Sequence, residues 1–521
     1  MYKDVISSFS FLPVIAGYAE LHYHLRFLYP AYFRREPEII ADLPQRLDLF
    51  TNSSLPLLLI IKDADRFPII LEKVKVYLRA GELQTEQEYT FSQKINTSWF
   101  SKICQLDISS FPMETEVFID VEITFSLKGR KKVVRNDNFP GISQKPFRTW
   151  LAKKAINIPE NWWAGDPHYH SNFTSDQVEF GADIAATREM ALAQGLSWFC
   201  VTDHSYDLDD MPDSFTSNDP ELKKWKNMQR ECQELDSEKC RIIPGEEVSI
   251  GNSQGQNVHL LALNHKEFIS GSGDSAEVWF RNTPQHQLCE IKEISGKENL
   301  FIAAHPLEKV PLAQRVTLNR GNWSLADNES SGVYIWQLIN SAETKVIDKA
   351  MKTWVQHLLN RERIFICAGN DAHGNFNIMR QISFPFLKLW ETHKQIFGNW
   401  LTIYQAENNE PLPALRQGRM IVSNGPFLSF VLNRLEEKWL LGETCPLRHA
   451  TVEYEVRTTP EFGEIETIYC YRGDCETGKE FQFPVACPVN IALPRNGYIR
   501  MSLITTKGFL AFTNPIFTVQ S

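Results

Sequence analysis

The chain has 521 residues, of which 43% are hydrophobic, 12% aromatic and 23% charged. That length suggests about three domains of roughly 150 residues, and the composition is too apolar for disorder. Its 54 basic and 64 acidic side chains leave a formal charge of -10, which repels a phosphate backbone and argues against nucleic acid as a partner.

The opening stretch MYKDVISSFSFLPVIAGYAEL carries one lysine followed at once by Asp4, and its apolar run is broken by Pro13 and Gly17. That is a weak secretory signal, so a cytoplasmic location is expected, with export the lesser reading. No run approaches the roughly 18 to 20 apolar residues that span a bilayer, and no membrane partner is expected. The ten cysteines show no CxxC pair and read as reduced, half-buried thiols.

Up to about residue 160 the strongest segments are rich in β-branched and aromatic residues or alternate: LHYHLRFLY, LPLLLIIKD, FPIILEKVKVYLRA, EVFIDVEITFSLKG and RKKVVRN. They predict a β-sandwich over 1–160, closed by a Pro- and Gly-bearing connector. From Asp166 to about Asp371 short apolar runs (SWFCVTDH, RIIPGEEVSI, NVHLLALN, LFIAAHP, GVYIWQLIN, RIFICAGNDAH) alternate with amphipathic stretches such as FGADIAATREMALAQGL. Strand and helix in alternation predict parallel strands with crossover helices, here an α/β barrel of TIM type with seven strands over 161–425. The remaining runs, from FLSFVLN to FTNPIFTV, predict a second sandwich over 426–521.

The histidines are unevenly spent. His168 and His170 stand two apart in GDPHYHS, a spacing that places both imidazoles on one face of a strand. His204, His305, Asp371 and His373 fall at or just beyond the ends of predicted strands, where barrels place their chemistry, and His259 lies within NVHLLAL. Glu246 and Glu247 in RIIPGEEVSI offer a bridging carboxylate. A lone histidine of this kind is more often structural; six in order, with Asp371, point to a metal site.

In order, HYHSNFTSD, TDH, PGEEVS, a later histidine, AHP and DAH make the sequence resemble the polymerase and histidinol phosphatase (PHP) family of metal-dependent phosphoesterases. NDNFPG, ALRQGRMIVSNGP and TNPIF are similar to the branch that includes carbaryl hydrolase-type esterases. The resemblance implies a PHP-type distorted barrel holding two or three ions of Zn, Mn or Fe. One ion would be held by His168, His170, a shared glutamate and Asp371, and a second by that glutamate, His259 and His305. The third would be held by His204, His373 and Asp176. The family's Gly-x-Glu register makes Glu247 the shared acid and Glu246 the runner-up, with Asp203 behind the ligands orienting a histidine.

No protein nucleophile is then required, because a hydroxide bridging two such ions would attack the ester. The expected reaction is hydrolysis of a small phosphate ester. The rivals are carboxylic or carbamic ester hydrolysis on the same metals, and a non-catalytic binding protein with a vestigial barrel. Arg380, Gln337 and Asn340 are candidate substrate contacts at the mouth. The acidic run Asp207, Asp209, Asp210 and Asp213 reads as a solvated loop, and His22 and His24 as strand-face residues. KGRKKVVR reads as an exposed hairpin, and His265, His286, His357, His393 and His449 as structural.

Overall fold

The computed structural model describes residues 35–138, 145–174, 180–212, 214–271, 282–294, 298–310, 312–340, 344–378, 395–484 and 488–519. His22, His24, Asp176, Asp213, Arg380 and His393 lie outside the described residues. Among those described, no helix is long and apolar enough to cross a membrane.

The N-terminal part holds two sheets. One pairs Ser54–Lys62 with Glu38–Asp42 and Trp99–Asp107; the other is built around Thr115–Leu127 and Ile69–Ala80. In Thr115–Leu127 alternate residues such as Val117, Ile119, Val121 and Ile123 are buried, the signature of a strand with one wet face. Ser54–Lys62 instead reads as an unbroken apolar run because both of its faces are covered. Leu55, Leu57 and Leu59 enter the N-terminal core, while Leu58 and Ile60 pack into the central one. The Lys128–Gly129 turn joins Thr115–Leu127 to Arg130–Arg135 in an outward hairpin.

The central unit is organised around β1 (Trp162–His170). After it come α1 (Ile184–Ala193), β2 (Trp198–Val201), α2 (Lys223–Leu235), β3 (Arg241–Gly251), β4 (Asn257–Leu263), β5 (Leu300–Ala303) and β6 (Ile335–Ile339). The series ends with α3 (Thr344–Leu359), β7 (Phe365–Ala368), β8 (Ala372–His373), β9 (Leu401–Gln405) and β10 (Met420–Ser423). The strands β1, β2 and β3 are mutually parallel, as are β5, β6 and β7.

This is not the closed seven-stranded parallel barrel that the strand and helix alternation predicts. Only residues 252–256 separate β3 from β4, far fewer than the dozen or so that a parallel crossover requires, so β4 returns antiparallel to β3 and β5 is antiparallel to β4. Among the described residues β7 has a strand ladder only with β6. On the other flank of β1, β9 and β10 continue the sheet antiparallel, and β10 pairs with Leu510–Thr513 of the C-terminal part. The result is one mixed sheet of sixteen strands. Of the described residues 48% are strand and 15% helix, so among them strand-to-strand returns, not helical crossovers, make most of the connections. The C-terminal strands accordingly do not stand apart as a second sandwich, because one of their sheets is the end of the central one.

Candidate metal centre

In β1 the alternation of GDPHYH turns His168 and His170 to one side, while Tyr169 goes to the other and is fully buried in the core. The same rule separates the two adjacent acids of β3. Glu247 faces the two histidines. Glu246 points to the opposite side, where its Oε1 accepts from the backbone N–H of Ile269 at 2.8 Å and lies 3.0 Å from His265 Nε2.

Around Glu247 the geometry divides by oxygen. Its Oε2 lies 3.2 Å from each of His168 Nε2, His170 Nε2 and His204 Nδ1. Its Oε1 lies 2.6 Å from His259 Nδ1 and 3.1 Å from His305 Nε2. Asp371 Oδ1 closes the first group, 3.1 Å from His170 Nε2 and 3.4 Å from His168 Nε2. His373 stacks on His170 with ring centroids 4.1 Å apart.

Among the described residues three sets of donors converge closely enough to share an ion: His168, His170, Glu247 and Asp371; Glu247, His259 and His305; and His170, His204 and His373. The donors fit such ions on their spacing. Bonds of about 2.0 to 2.2 Å to a common centre put neighbouring ligand atoms about 3.0 to 3.5 Å apart, and His168 Nε2 lies 3.1 Å from His170 Nε2. Two imidazole nitrogens at that distance, with two carboxylates beside them, are aimed at one point.

Burial sharpens the electrostatics. It opposes charge on His168 and His170, yet the nearby carboxylates outweigh it, so that His168 is raised and His170 is pushed up to about 10. Burial would likewise raise Glu247 and Asp371, but the imidazoles hold both carboxyls well below the usual range. His204 and His373 are lowered, by burial first and by the charge on His170 second. Two buried carboxylates therefore demand cationic compensation, which a dication supplies through the same lone pairs that protons would otherwise occupy.

Behind these donors sits a layer of positioning contacts. His168 Nδ1–H donates to Gln337 Oε1 at 2.7 Å, and Gln337 Nε2 donates to the Gly369 carbonyl at 3.0 Å. A Cβ at Gly369 would come within 2.7 Å of His168 Cβ, so only glycine admits this approach. Gln337 is fully buried and serves His168; it is not the substrate contact predicted from its place at a strand end. Asn340 lies at the edge, 3.5 Å from Glu308 Oε2.

Asp203 accepts from the Ser171 N–H at 2.7 Å, the Thr174 N–H at 3.0 Å and the Ser171 hydroxyl at 2.7 Å. It fixes the loop after β1, where the sequence had suggested that it orients a histidine directly. Asp207, Asp209 and Asp210 are buried, contrary to the solvated loop expected, and burial pushes Asp209 up to about 6.

Three contributors were not singled out in the sequence. Asp166 accepts from Asn370 Nδ2 at 2.6 Å and from the backbone N–H groups of Asn370 and His168, tying β1 to the turn that carries Asp371. Gln395 Nε2 donates to Asp371 Oδ2 at 2.9 Å. Trp323 Nε1 donates to the His259 carbonyl at 3.2 Å. The alternation GDPHYH could have flagged Asp166 as sharing a side with His168; nothing local flags the other two. His305 and Asp371 both hold left-handed backbone, at φ 30° and 53°, a strain that concentrates at functional positions.

No protein-family model and no curated protein matches this sequence. Among solved structures, a Parabacteroides merdae β-glucuronidase aligns at 7% identity over 94% of this chain and 64% of its own, with a TM-score of 0.19. A glycosyl hydrolase family 2 member from Bacteroides cellulosilyticus aligns at 8% identity over 93% and 63%, with a TM-score of 0.18. A Bacteroides uniformis β-glucuronidase aligns at 8% over 93% and 61%, with a TM-score of 0.17. The chain thus spans less than two thirds of the length of each, and TM-scores this low do not define a shared fold.

Proposed function

We propose that the protein is a metal-dependent hydrolase of small phosphate esters. The observation that carries this reading is the division of Glu247, whose two oxygens face separate groups of imidazoles while Asp371 completes one of them. Divalent ions bound there would acidify a solvent molecule and neutralise charge that grows on the ester in the transition state.

The chain's own residues supply the rest. Glu247 keeps two ligand groups in register, Gln337 holds the tautomer of His168, and Asp203 holds the loop that leads from His170. Burial raises the thiols of Cys200 and Cys367, which disfavours either of them as a nucleophile. Ser171 spends its hydroxyl on Asp203. The phosphate-ester class draws its support from the ordered ligand motifs that resemble PHP phosphoesterases.

Elemental analysis of the purified protein, followed by assays with p-nitrophenyl phosphate, naphthyl acetate and a naphthyl carbamate, tests the reading. Two or three transition ions per chain and chelator-sensitive release of nitrophenol from the phosphate are expected. Turnover confined to the naphthyl substrates would replace the phosphate class. A protein that binds no such ion would end the proposal.

A further inference from the structure

The N-terminal unit touches the frame of the metal centre at two places, and those two places touch each other. We infer, resting on the metal-dependent reading above, that this unit is a working part of the centre, and that Asp42 and Asn377 are positioning residues that set where Asp371 and His373 present their donors.

The first contact follows directly on His373. β8 is two residues long, held against β1 by the pairings of Ala372 with Tyr169 and of His373 with His170. The turn beyond it docks on the N-terminal unit. The Phe376 N–H donates to Asp42 Oδ2 at 3.0 Å, and the Gln45 N–H donates to the Phe376 carbonyl at 3.2 Å. Asn377 takes both backbone groups of Arg148, accepting from its N–H at 3.1 Å and donating to its carbonyl at 2.7 Å, the exchange a paired strand would make. Asp42 is itself fixed, because its Oδ1 accepts from the Leu43 N–H at 2.8 Å and its strand pairs with Ser54–Lys62. Asp42 and Asn377 are both buried, so losing either side chain leaves backbone groups there without the bonds they make.

The second contact lies at residues 180–183. Trp99 Nε1 donates to Asp183 Oδ1 at 3.0 Å, Trp99 meets Phe180 edge-on, and Lys62 Nζ lies 4.3 Å from the centre of the Phe180 ring. This segment also reaches the ligands, because the Gly181 N–H donates at 3.1 Å to the carbonyl of Ser171, the residue after His170. It meets the first contact at Gly374, where φ is 62° and a Cβ would come within 2.6 Å of the Ala182 nitrogen. The side of the centre built from His170, Asp371 and His373 is thus backed by a packed layer anchored in another unit. Glu247 and His259 sit on β3 and β4 and His305 just after β5, and the contacts named above do not include them. Loosening the N-terminal anchor should therefore act on one side of the centre.

The test is zinc-buffered titration of the full chain, for wild type, Asp42→Ala, Asn377→Ala and Val121→Ala. Melting temperature in chelator and hydrogen–deuterium exchange across residues 371–378 are measured on each. Val121 is buried in the N-terminal core and makes none of these contacts, so its variant reports plain loss of stability. Asp42→Ala and Asn377→Ala should raise exchange across 371–378 and weaken about tenfold the zinc that Asp371 and His373 would hold. Zinc held by Glu247, His259 and His305 should keep its wild-type affinity. Val121→Ala should melt earlier with its zinc curve unchanged. Where Asp42→Ala does not fold, Asn377→Ala, on the other side of the same contact, carries the test. Wild-type zinc affinity in the positioning variants, or an equal fall in Val121→Ala, would overturn the inference. The expected zinc loss in a protein that hydrolyses none of the three test esters would remove the hydrolase reading and leave the positioning role standing. A wild-type chain that binds no zinc would end both.

Discussion

The carboxamide oxygen of Gln337 lies 2.7 Å from Nδ1 of His168, and this contact decides which imidazole nitrogen faces Glu247. Because the amide nitrogen of Gln337 is committed to the Gly369 carbonyl, the oxygen is the end presented to His168. The partner of a ligand histidine fixes both its ring orientation and its basicity. Gln337→Met, similar in volume and without the acceptor, should lower metal affinity about 10- to 100-fold with little change in fold. Metal-buffered titrations would read this directly, and an unchanged affinity would remove Gln337 from the site.

Adjacent carboxylates on opposite faces of β3 give a second contrast. Glu247→Gln should strip the ions that its two oxygens join, lowering the metal count by at least half and abolishing turnover. Glu246→Gln leaves the ligand side untouched and should retain the full count, since Glu246 contacts Ile269 and His265 instead. Equal metal loss in both variants would contradict the division of roles.

Asp371 combines a place in the proposed donor set with a left-handed backbone at φ 53°. Asparagine tolerates that conformation, whereas alanine pays a steric penalty of about 1 kcal/mol. Asp371→Asn should therefore lose metal while the chelated protein keeps its stability, and Asp371→Ala should lose both. Denaturant titrations in chelator separate the two effects; identical curves for the two variants would show that the backbone strain is immaterial.

The convergence of these side chains was legible in the sequence because strand alternation is a local rule. His168 and His170 had to share a face, and Glu246 and Glu247 could not. The sheet was less legible. An apolar run such as NVHLLAL states that a strand is buried and gives no direction, so the antiparallel return of β4 through residues 252–256 escaped a reading built on alternation of strand and helix. Gln337 sat at the predicted strand end, but the inward turn of its amide depends on Gly369, thirty-two residues later. Asp207, Asp209 and Asp210 look solvated as a run of charges; their burial depends on contacts such as Asn218 Nδ2 donating to Asp209 Oδ2 at 2.7 Å and Lys224 Nζ 3.7 Å from Asp210.

His265 supplies a pH-dependent prediction away from the ligands. Its Nδ1–H donates to the Glu267 carbonyl at 2.9 Å, which leaves Nε2 as an acceptor 3.0 Å from the Glu246 carboxyl. Burial lowers His265 to about 4, so near neutrality its imidazole is uncharged, and burial raises Glu246 well above its ordinary value beside it. The unfolded chain protonates His265 near its ordinary value of about 6.5, and the folded chain resists until about pH 4. The unfolded state thus binds the extra proton in that window, and stability rises with pH across it. Relative to His265→Gln, wild type should lose up to about 3 kcal/mol as pH falls from 6.5 to 4. Glu246 is present in both proteins, so its own titration largely cancels in the difference. Urea unfolding of the chelated proteins at several pH values checks this, and parallel slopes for wild type and variant would show that His265 does not resist protonation.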